Sequence, residues 1–262
     1  MYISSVHNKK VLQLRKLYKS RERKASDVFI AEGVKEVSRG INSGFEIVSL
    51  YYCSEIFKSD ISLFLKGKNE SVELYELDKK VYEKVAYRDN TEGVLAVFKK
   101  KIYSLEDFSS ADEGLYVVLE SVEKPGNLGA VLRTADAAGV TAVILTESKV
   151  DQYHPNVIRS SIGAAFTVPV VVRGNEELLS WFNHNAIEYY AAALPAYNNL
   201  YNIDLTGKIA LIFGTESQGL SSFWLKTKKK IFTIPMTGIV DSLNVSVSVA
   251  VTIYEAARQR MG

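Results

Sequence analysis

Three short segments contain residues that could bind a ligand and act on it. They are "EKPGNLGAVLRTADAAG" (123–139), "GTESQGLS" (214–221) and "MTGIVDSLNVS" (236–246). Each contains glycine, which permits close approach of the backbone to a ligand, together with Asn, Ser or Glu side chains that form hydrogen bonds. One such segment is a common loop, whereas three in one chain indicate a shared binding site.

The first segment carries an arginine inside a helix-like apolar repeat. Pro125 fixes its own φ, Asn127 suits a turn, and we expect the helix to begin near Leu128. Arg133 then lies four residues after Gly129, on the face directed back toward the loop. Its planar guanidinium donates two parallel hydrogen bonds and so suits a phosphate group, although a surface arginine that merely solvates a helix has the same spacing.

Several other chemistries are disfavoured by the sequence. The stretch "PGNLGA" lacks the G-x-G-x-x-G pattern of dinucleotide sites, and no G-x-x-x-x-G-K-[ST] motif for nucleotide phosphates is present. Cys53 is the only cysteine, which excludes an internal disulfide and a cysteine-based metal cluster. His7, His154 and His184 do not have the spacing of metal ligands, so we expect no metal site.

Six apolar segments of the second half are predicted to position the three loops. Continuous apolar strands separated by helix-length segments are typical of a parallel sheet covered on both faces. The segments are "LYVVLE" (115–120), "TAVILT" (141–146), "TVPVVV" (167–172), "EYYAAAL" (188–194), "KIALIF" (208–213) and "KIFTIP" (230–235). The three loops follow the first, fifth and sixth of them, and the carboxyl ends of such strands are where α/β folds bind ligands.

The stretch "NVSVSVAVTIYEAARQR" (244–260) supports two interpretations. Its valines alternate with small or polar residues, which alone favours a strand. The continuation "YEAARQR" contains strong helix formers and ends in basic residues suited to a helix C-terminus. We therefore predict one closing helix.

The first hundred residues alternate short strand-like and helix-like pieces, with helices predicted near 34–42, 54–66 and 78–86. This spacing indicates a small α/β domain. The charged and then Ser/Asp-rich stretch at 99–114 is the predicted linker. We accordingly predict an N-terminal domain at 1–105 and a second domain at 110–262.

Basic residues are concentrated near the start of the chain. Residues 1–110 contain 20 Lys and Arg against 16 Asp and Glu, and the segment 9–24 alone holds eight basic residues with Glu22 as its single acid. A solvated helix face has this composition, and so does a surface that binds the phosphates of nucleic acid. No apolar run approaches the roughly 20 residues of a membrane helix, and the start lacks the apolar core of a secretory signal. We expect a soluble, cytoplasmic protein with no membrane partner.

Taken together and in this order, the three loop motifs resemble those of the SpoU/TrmH family of RNA 2′-O-ribose methyltransferases. The resemblance covers about residues 115–262. The N-terminal stretches "FIAEGVKEVSRGINSG" and "NTEGVLAVF" resemble the substrate-binding domain of many members, which is similar to the kink-turn-binding ribosomal proteins. The resemblance implies an α/β protein whose C-terminal domain has a SPOUT-type parallel sheet with a deep trefoil knot.

The resemblance also implies a cofactor, S-adenosyl-L-methionine, and a set of functional residues. Positions that match the donor-binding backbone contacts are Gly214, Ile234 and Leu243. Positions that match the residues used for chemistry are Asn127, Arg133, Glu216, Ser242 and Asn244. Thr215 and Ser217, on either side of Glu216, depart from the small or Asn/Gly residues that are common there.

The function implied is methylation of a ribose 2′-hydroxyl in RNA, with ribosomal RNA as the first substrate class and transfer RNA as the second. We expect a homodimer with the closing helix at its interface. Arg133 either accepts or relays the hydroxyl proton while held against a phosphate, or clamps that phosphate and stabilises the developing alkoxide. The sequence leaves both roles open.

The remaining residues receive supporting roles. We assign Asn127 and Asn244 to positioning Arg133 and the ribose, Ser242 to a hydrogen bond in the same network, and Glu216 to ordering the second loop. Glu216 could instead cap a helix that begins near Gly219. Two other classes of protein remain as alternatives: a catalytically inactive RNA-binding ribosome assembly factor, and, less favoured for want of a dinucleotide motif, a nucleotide-dependent oxidoreductase.

Overall fold

The chain folds into two compact units. The first comprises Met1–Lys101 together with Tyr153–Thr167, and the second comprises Ile102–Gln152 together with Val168–Gly262. No helix in the ranges described below is long and apolar enough to span a membrane. The structure, a computed structural model, describes residues 1–65, 72–87, 92–109, 113–196, 198–216, 218–226 and 230–261.

The first unit is built on a five-stranded mixed sheet of order β1-β4-β3-β5-β2. Its strands are β1 (Tyr2–Ile3), β2 (Val28–Glu32), β3 (Ile47–Tyr52), β4 (Glu73–Leu77) and β5 (Val94–Lys99). β4 pairs in parallel with β1 and β3, whereas β5 runs antiparallel to β2 and β3. The helices of its N-terminal part are α1 (Lys9–Lys16), α2 (Ser20–Lys24), α3 (Val34–Asn42) and α4 (Lys79–Val85).

The helix predicted near 54–66 is wrong for the residues described. Residues 54–56 form a turn, and only Ile61–Phe64 form a single 3-10 turn, which Asp60 caps by accepting from the Ser62 amide at 2.9 Å. Aspartate side chains form hydrogen bonds with nearby backbone amides, which favours a turn over a continuous helix. Residues 66–71 lie outside the described ranges.

The segment Tyr153–Thr167 belongs to the first unit, although the predicted domain division assigned it to the second. It contains α6 (Pro155–Ser160). Tyr153 stacks on Phe29 with ring centroids 4.1 Å apart, and Phe166 packs edge-on against Phe45 at 5.1 Å. Burial of these aromatic rings offsets the conformational entropy that is lost when the segment packs against the first unit. No local sequence pattern indicates this packing.

The second unit contains a seven-stranded, entirely parallel sheet of order β10-β12-β9-β11-β6-β7-β8, as its apolar segments predicted. The two-residue edge strand β10 was not predicted. The strands are β6 (Leu115–Glu120), β7 (Ala142–Thr146), β8 (Val170–Val172), β9 (Glu188–Ala192), β10 (Asn198–Asn199), β11 (Ile209–Phe213) and β12 (Ile231–Thr233). β6 and β11 are adjacent, and both are fully buried.

Helices cover this sheet and bring apolar side chains to its faces. One core joins sheet residues Val118 and Ile212 to Phe182 and Trp224 of the covering helices. The helices are α5 (Pro125–Ala137), α7 (Asn175–His184), α8 (Ser222–Leu225) and α9 (Val245–Met261).

Of the two helices that adjoin the predicted site, α5 differs from the sequence prediction and α9 agrees with it. α5 begins at Pro125 and not near Leu128, because proline at the first helical position lacks an N–H that the helix could not have used and already has a helical φ. Asn127 therefore lies in the first turn of the helix. The predicted closing helix is confirmed as α9, whose buried face includes Val249 and Ile253.

Candidate active site

The second loop, which follows β11, folds back on itself within five residues. Thr215 and Gly219 form an isolated antiparallel bridge, with N–O distances of 3.1 and 3.0 Å in the two directions. Gly219 has φ +65°, a left-handed conformation that favours glycine. A Cβ added to Gly214 would lie 2.2 Å from both C and O of Gly219, so the fold of this turn requires glycine at 214.

The unusual residue Thr215 contributes to this turn. Its hydroxyl oxygen accepts a hydrogen bond from the Gln218 amide at 3.0 Å, in addition to the backbone bridge. A side chain that bonds backbone two or three residues further along stabilises a tight turn. Ser217, the other departure from the family pattern, lies outside the described residues.

The third loop, which follows β12, ends at Asn244, and this residue fixes the start of α9. Asn244 Oδ1 accepts from the Ser246 amide at 2.9 Å and from the Ser246 hydroxyl at 2.6 Å, as expected for an N-cap. Because the oxygen of the amide is used in the cap, its nitrogen points away from the helix and is available as a donor.

The three loops meet in a set of four side chains, which we term the Glu216 cluster: Lys124, Asn127, Glu216 and Asn244. Glu216 Oε1 accepts from Asn127 Nδ2 at 3.1 Å and also from Asn244 Nδ2. Asn244 Nδ2 donates in addition to Asn127 Oδ1 at 3.3 Å. Lys124 Nζ donates to Glu216 Oε2 at 2.9 Å and forms an ion pair with it. One residue from each of the second and third loops is thereby joined to the start of α5.

The partners of Glu216 keep it ionised. The hydrogen bond from Lys124 lowers the pKa of Glu216 most, and the Asn127 bond, the Lys124 charge and a backbone contact with Val245 lower it further, against a partial opposing effect of burial. The same pair raises the pKa of Lys124. A carboxylate with a lowered pKa is a weak base, so Glu216 is suited to orienting the amides of Asn127 and Asn244 rather than to accepting a proton.

The alternative role of Glu216 as a helix cap does not agree with the structure. α8 begins at Ser222, and the residue before it, Ser221, donates from its backbone amide to Glu120 Oε2 at 2.7 Å. Glu216 is directed instead into the cluster with Lys124 and the two asparagines.

Two adjoining cavities surround the cluster. The larger, of about 220 Å³, is lined by Gly214, Ile234 and Leu243, the three predicted donor-binding positions, and also by Ser242. The smaller, of about 170 Å³, is lined by Lys124 and Asn127 among others. Residues lining both cavities are Gly214, Thr215, Glu216 and Val245. The second loop therefore forms part of the wall between the two cavities.

Two predicted residues do not join the cluster. Arg133 is exposed on α5, six residues along from Asn127, a rise of about 9 Å on an α-helix. Its side chain lines neither cavity and makes no hydrogen bond or ion pair within the described ranges. Ser242 is also exposed, and its hydroxyl donates to Asp241 Oδ1 at 3.4 Å. Among the described residues, Asn127 and Asn244 bond Glu216 and each other and not Arg133, and the expectation that they position Arg133 and the ribose stays a prediction.

Two residues of the site were missed by sequence reasoning. Lys124 precedes the motif proline and had no distinguishing pattern. Glu120 ends the otherwise apolar strand β6 and is only 3% exposed, a signal that could have been noticed because buried carboxylates require partners. Its oxygens accept from Asn175 Nδ2 and from the Ser221 hydroxyl, each at 2.7 Å, which ties α7 and the end of the second loop to β6.

Comparison with known proteins shows which family the chain resembles. The SpoU rRNA Methylase family matches residues 114–254, and the MRM3-like substrate binding domain matches residues 8–96. An uncharacterised tRNA/rRNA methyltransferase of Synechocystis is 34% identical over 98% of this chain and 94% of its own length. The 23S rRNA (guanosine(2553)-2′-O)-methyltransferase RlmP of Bacillus subtilis is 27% identical over 96% of this chain and 97% of its own.

A solved structure agrees as well. The AdoMet-bound rRNA methyltransferase of Sinorhizobium meliloti superposes with a TM-score of 0.89 at 28% identity, over 98% of this chain and 97% of that one. The chain belongs to the SpoU rRNA methylase family, and the resemblance expected from its three motifs is confirmed.

Proposed function

We propose that this protein transfers a methyl group from S-adenosyl-L-methionine to the 2′-hydroxyl of a ribose in RNA, with ribosomal RNA as its first substrate class. The observation that carries the proposal is the Glu216 cluster, in which two carboxamides are held by one ionised carboxylate between two cavities. The names of the relatives, which include 23S rRNA 2′-O-methyltransferases, support the reaction and the substrate class.

The larger cavity fits the methyl donor. It is lined by residues of the second and third loops and the end of β12, among them Gly214, Ile234 and Leu243. S-adenosyl-L-methionine, when bound, supplies a methyl group activated by a sulfonium centre. Gly214, Ile234 and Leu243 would hold it, with Ser242 at the edge of the cavity.

The smaller cavity is proposed to receive the ribose that is methylated. Asn127 lines it, and one hydrogen on Asn127 Nδ2 remains after the bond to Glu216, so the amide can donate to a ribose or phosphate oxygen. Asn244 fixes Asn127 in that orientation through their mutual hydrogen bond. Positioning of this kind lowers the barrier by several kcal/mol because it removes the entropy of aligning the reacting groups.

Arg133 is proposed to act on the acceptor, either by receiving or relaying the hydroxyl proton or by clamping the neighbouring phosphate and stabilising the alkoxide. A planar guanidinium can donate two parallel hydrogen bonds to a phosphate, which suits the role of clamp. Since Arg133 lines neither cavity of its own chain, the proposal requires RNA or a second protomer to complete the site.

We further propose a homodimer formed through α9. Val247 and Tyr254, seven residues apart on this helix, are 45% and 53% exposed, and apolar residues repeated on one exposed helix face favour an interface.

We also propose the trefoil knot of the family. In its support, Arg260 of α9 donates to the carbonyls of Leu205 and Gly207, so the last helix is held by the segment that precedes β11.

For the first unit we propose RNA binding through a fold similar to the kink-turn-binding ribosomal proteins, supported by the match to a substrate-binding domain. The predicted division of roles, RNA binding in 1–105 and methyl transfer in 110–262, remains part of the proposal. Because the proposed substrate is ribosomal RNA, we expect the protein to act in the cytoplasm.

The test is ribose-methylation mapping of total RNA from cells with and without the protein, together with binding of labelled S-adenosyl-L-methionine and of NAD to the purified protein. The proposal predicts one or a few 2′-O-methyl groups in ribosomal RNA that disappear with the protein, and binding of the methyl donor alone. A lost methyl group in transfer RNA would correct the substrate class. An unchanged methylation map combined with intact RNA binding would favour an inactive assembly factor.

A further inference from the structure

The eight cations of the segment 9–24 divide into two groups. Lys10 and Arg23 are committed within the protein: Lys10 forms an ion pair with Glu73 at 2.8 Å, and Arg23 is completely buried. The other six are exposed, and their side chains make no hydrogen bond or ion pair with any described residue. They are Lys9, Arg15, Lys16, Lys19, Arg21 and Lys24.

Some cations elsewhere in the described ranges are paired with carboxylates, whereas others, such as Arg133 and Lys84, are exposed and form no ion pair there. Lys99 lies 2.7 Å from Glu46, Arg173 lies 3.0 Å from Glu177 of α7, and Lys230 lies 2.5 Å from Glu188. The segment 9–24 has only one acid, Glu22, for its exposed cations. Closely spaced like charges repel each other. Binding of an external polyanion to such a surface relieves this repulsion and is therefore favourable.

The buried arginine holds this surface in one shape. Arg23 Nη1 donates to the carbonyl oxygens of Leu17 and Tyr18, at 2.9 and 3.1 Å, and so joins α2 to the end of α1. Lys100 Nζ in turn donates to the Arg23 carbonyl at 2.5 Å, which anchors the junction to the residue that follows β5. Cations carried on a fixed junction lose less conformational entropy on binding than cations on a flexible tail.

We propose that this basic corner, defined as Arg15, Lys16, Lys19 and Arg21 around the α1–α2 junction, binds the phosphate backbone of the RNA substrate. The inference rests on the proposed function for the identity of the polyanion. Contacts to phosphates give affinity and orientation but carry no sequence information. The corner therefore holds the RNA on the first unit and leaves the choice of nucleotide to other residues.

The test compares two triple variants that change the net charge equally. The corner variant carries Arg15→Gln, Lys16→Gln and Lys19→Gln, and the control carries Arg173→Gln, Lys99→Gln and Lys230→Gln, which removes three paired cations. Labelled transcripts that together cover 23S ribosomal RNA are titrated with each protein at several salt concentrations. Vesicles with and without anionic lipid are titrated in parallel, and far-UV circular dichroism with thermal unfolding checks that both variants are folded.

The corner variant should bind RNA at least about tenfold more weakly than the wild type near physiological salt. The plot of log K against log salt should also become less steep by about two, because each lost phosphate contact removes about 0.7 to 0.9 from the magnitude of the slope. The control should stay within about twofold. Equal weakening of both variants, no weakening of the corner variant, or no RNA binding by the wild type would overturn the proposal. So would a corner variant that loses only vesicle binding.

These results separate the inference from the proposed function. If the wild type binds RNA through the corner but methylates none, the inference stands and the enzymatic proposal fails. If the wild type methylates RNA and the corner variant does so with an unchanged kcat/KM, the enzymatic proposal stands and the basic corner is a solvated surface.

Discussion

Asn127 donates a hydrogen bond to the carboxylate of Glu216 at 3.1 Å across 89 positions of sequence. The contact joins the first turn of α5 to the loop after β11, and Asn244 adds the loop after β12 to the same oxygen. The three motifs are therefore one structural unit, held together by a carboxylate that belongs to the middle motif.

Removal of this carboxylate should impair the reaction more than the fold. We expect Glu216→Ala to lower kcat about a hundredfold, the size of effect seen when a positioning or electrostatic contact is lost from an active site. Lys124→Met, which removes only the exposed ion pair, should stay within about threefold, because exposed ion pairs contribute little. Single-turnover methyl transfer to RNA measures both, and similar losses in the two variants would contradict the assigned role of Glu216.

Arg133→Ala should abolish methyl transfer and leave the affinity for S-adenosyl-L-methionine within a few-fold, because the side chain is outside the larger cavity. Arg133→Lys retains the charge but not the planar fork, and we expect it to recover only a small part of the rate. Donor binding by calorimetry and transfer rates with saturating RNA distinguish the two effects. Near-normal turnover of the alanine variant would refute the proposed role.

Gly214→Ala should prevent donor binding through the shape of the loop itself. The added Cβ would be 2.2 Å from the backbone of Gly219, so the turn between 215 and 219 must open. Gly238→Ala in the third loop is a matched control, since its Cβ would meet nothing within 4 Å. Calorimetry should show a lost donor site in the first variant and an affinity close to wild type in the second.

Glu255 makes the stability of the second unit depend on pH. Hydrogen bonds from Arg258 and then Gln259 lower the pKa of Glu255 from 4.5 to about 2. A depressed pKa contributes stability that is complete above the unfolded value and is lost as the pH falls through the folded one. Wild type should thus be more stable than Glu255→Gln at neutral pH, and the difference should shrink from about pH 4.5 toward about pH 2. Urea unfolding followed across this range tests the trend, with Glu83→Gln on the exposed side of α4 as a control.

Arg23→Ala should destabilise the first unit by about 3 kcal/mol, because the carbonyls of Leu17 and Tyr18 lose their donor and a fully buried side chain is deleted. Arg21→Ala, two residues away and exposed, should change the free energy of unfolding by less than about 0.5 kcal/mol. Chemical denaturation monitored by far-UV circular dichroism measures both. Comparable effects would show that the buried guanidinium does not hold the junction.

Much of the second unit could be predicted because its signals are local. Continuous apolar strands indicate a parallel sheet, and the helix formers after Val251 identify α9 despite the alternating valines. The return of Tyr153–Thr167 to the first unit depends on aromatic contacts with Phe29 and Phe45, which are distant in sequence and leave no periodic pattern.

The site was predicted as a set of residues but not as a geometry. Motif recognition supplied Asn127, Glu216 and Asn244, yet it could not indicate that the two asparagines bind the carboxylate rather than Arg133. Lys124 and Glu120 were missed because their importance comes from partners on other elements. Glu120, for instance, meets Ser221 across 101 positions.

The double use of the Asn244 amide has a dynamic consequence. One end of this side chain starts α9 through the Ser246 amide, and the other end contacts Glu216. We expect a ligand that steadies the carboxylate to slow the opening of the first helical turn as well, so the exchange rate of the Ser246 amide hydrogen with deuterium should report occupancy. That proton would sense the filling of either cavity without a label or a substitution.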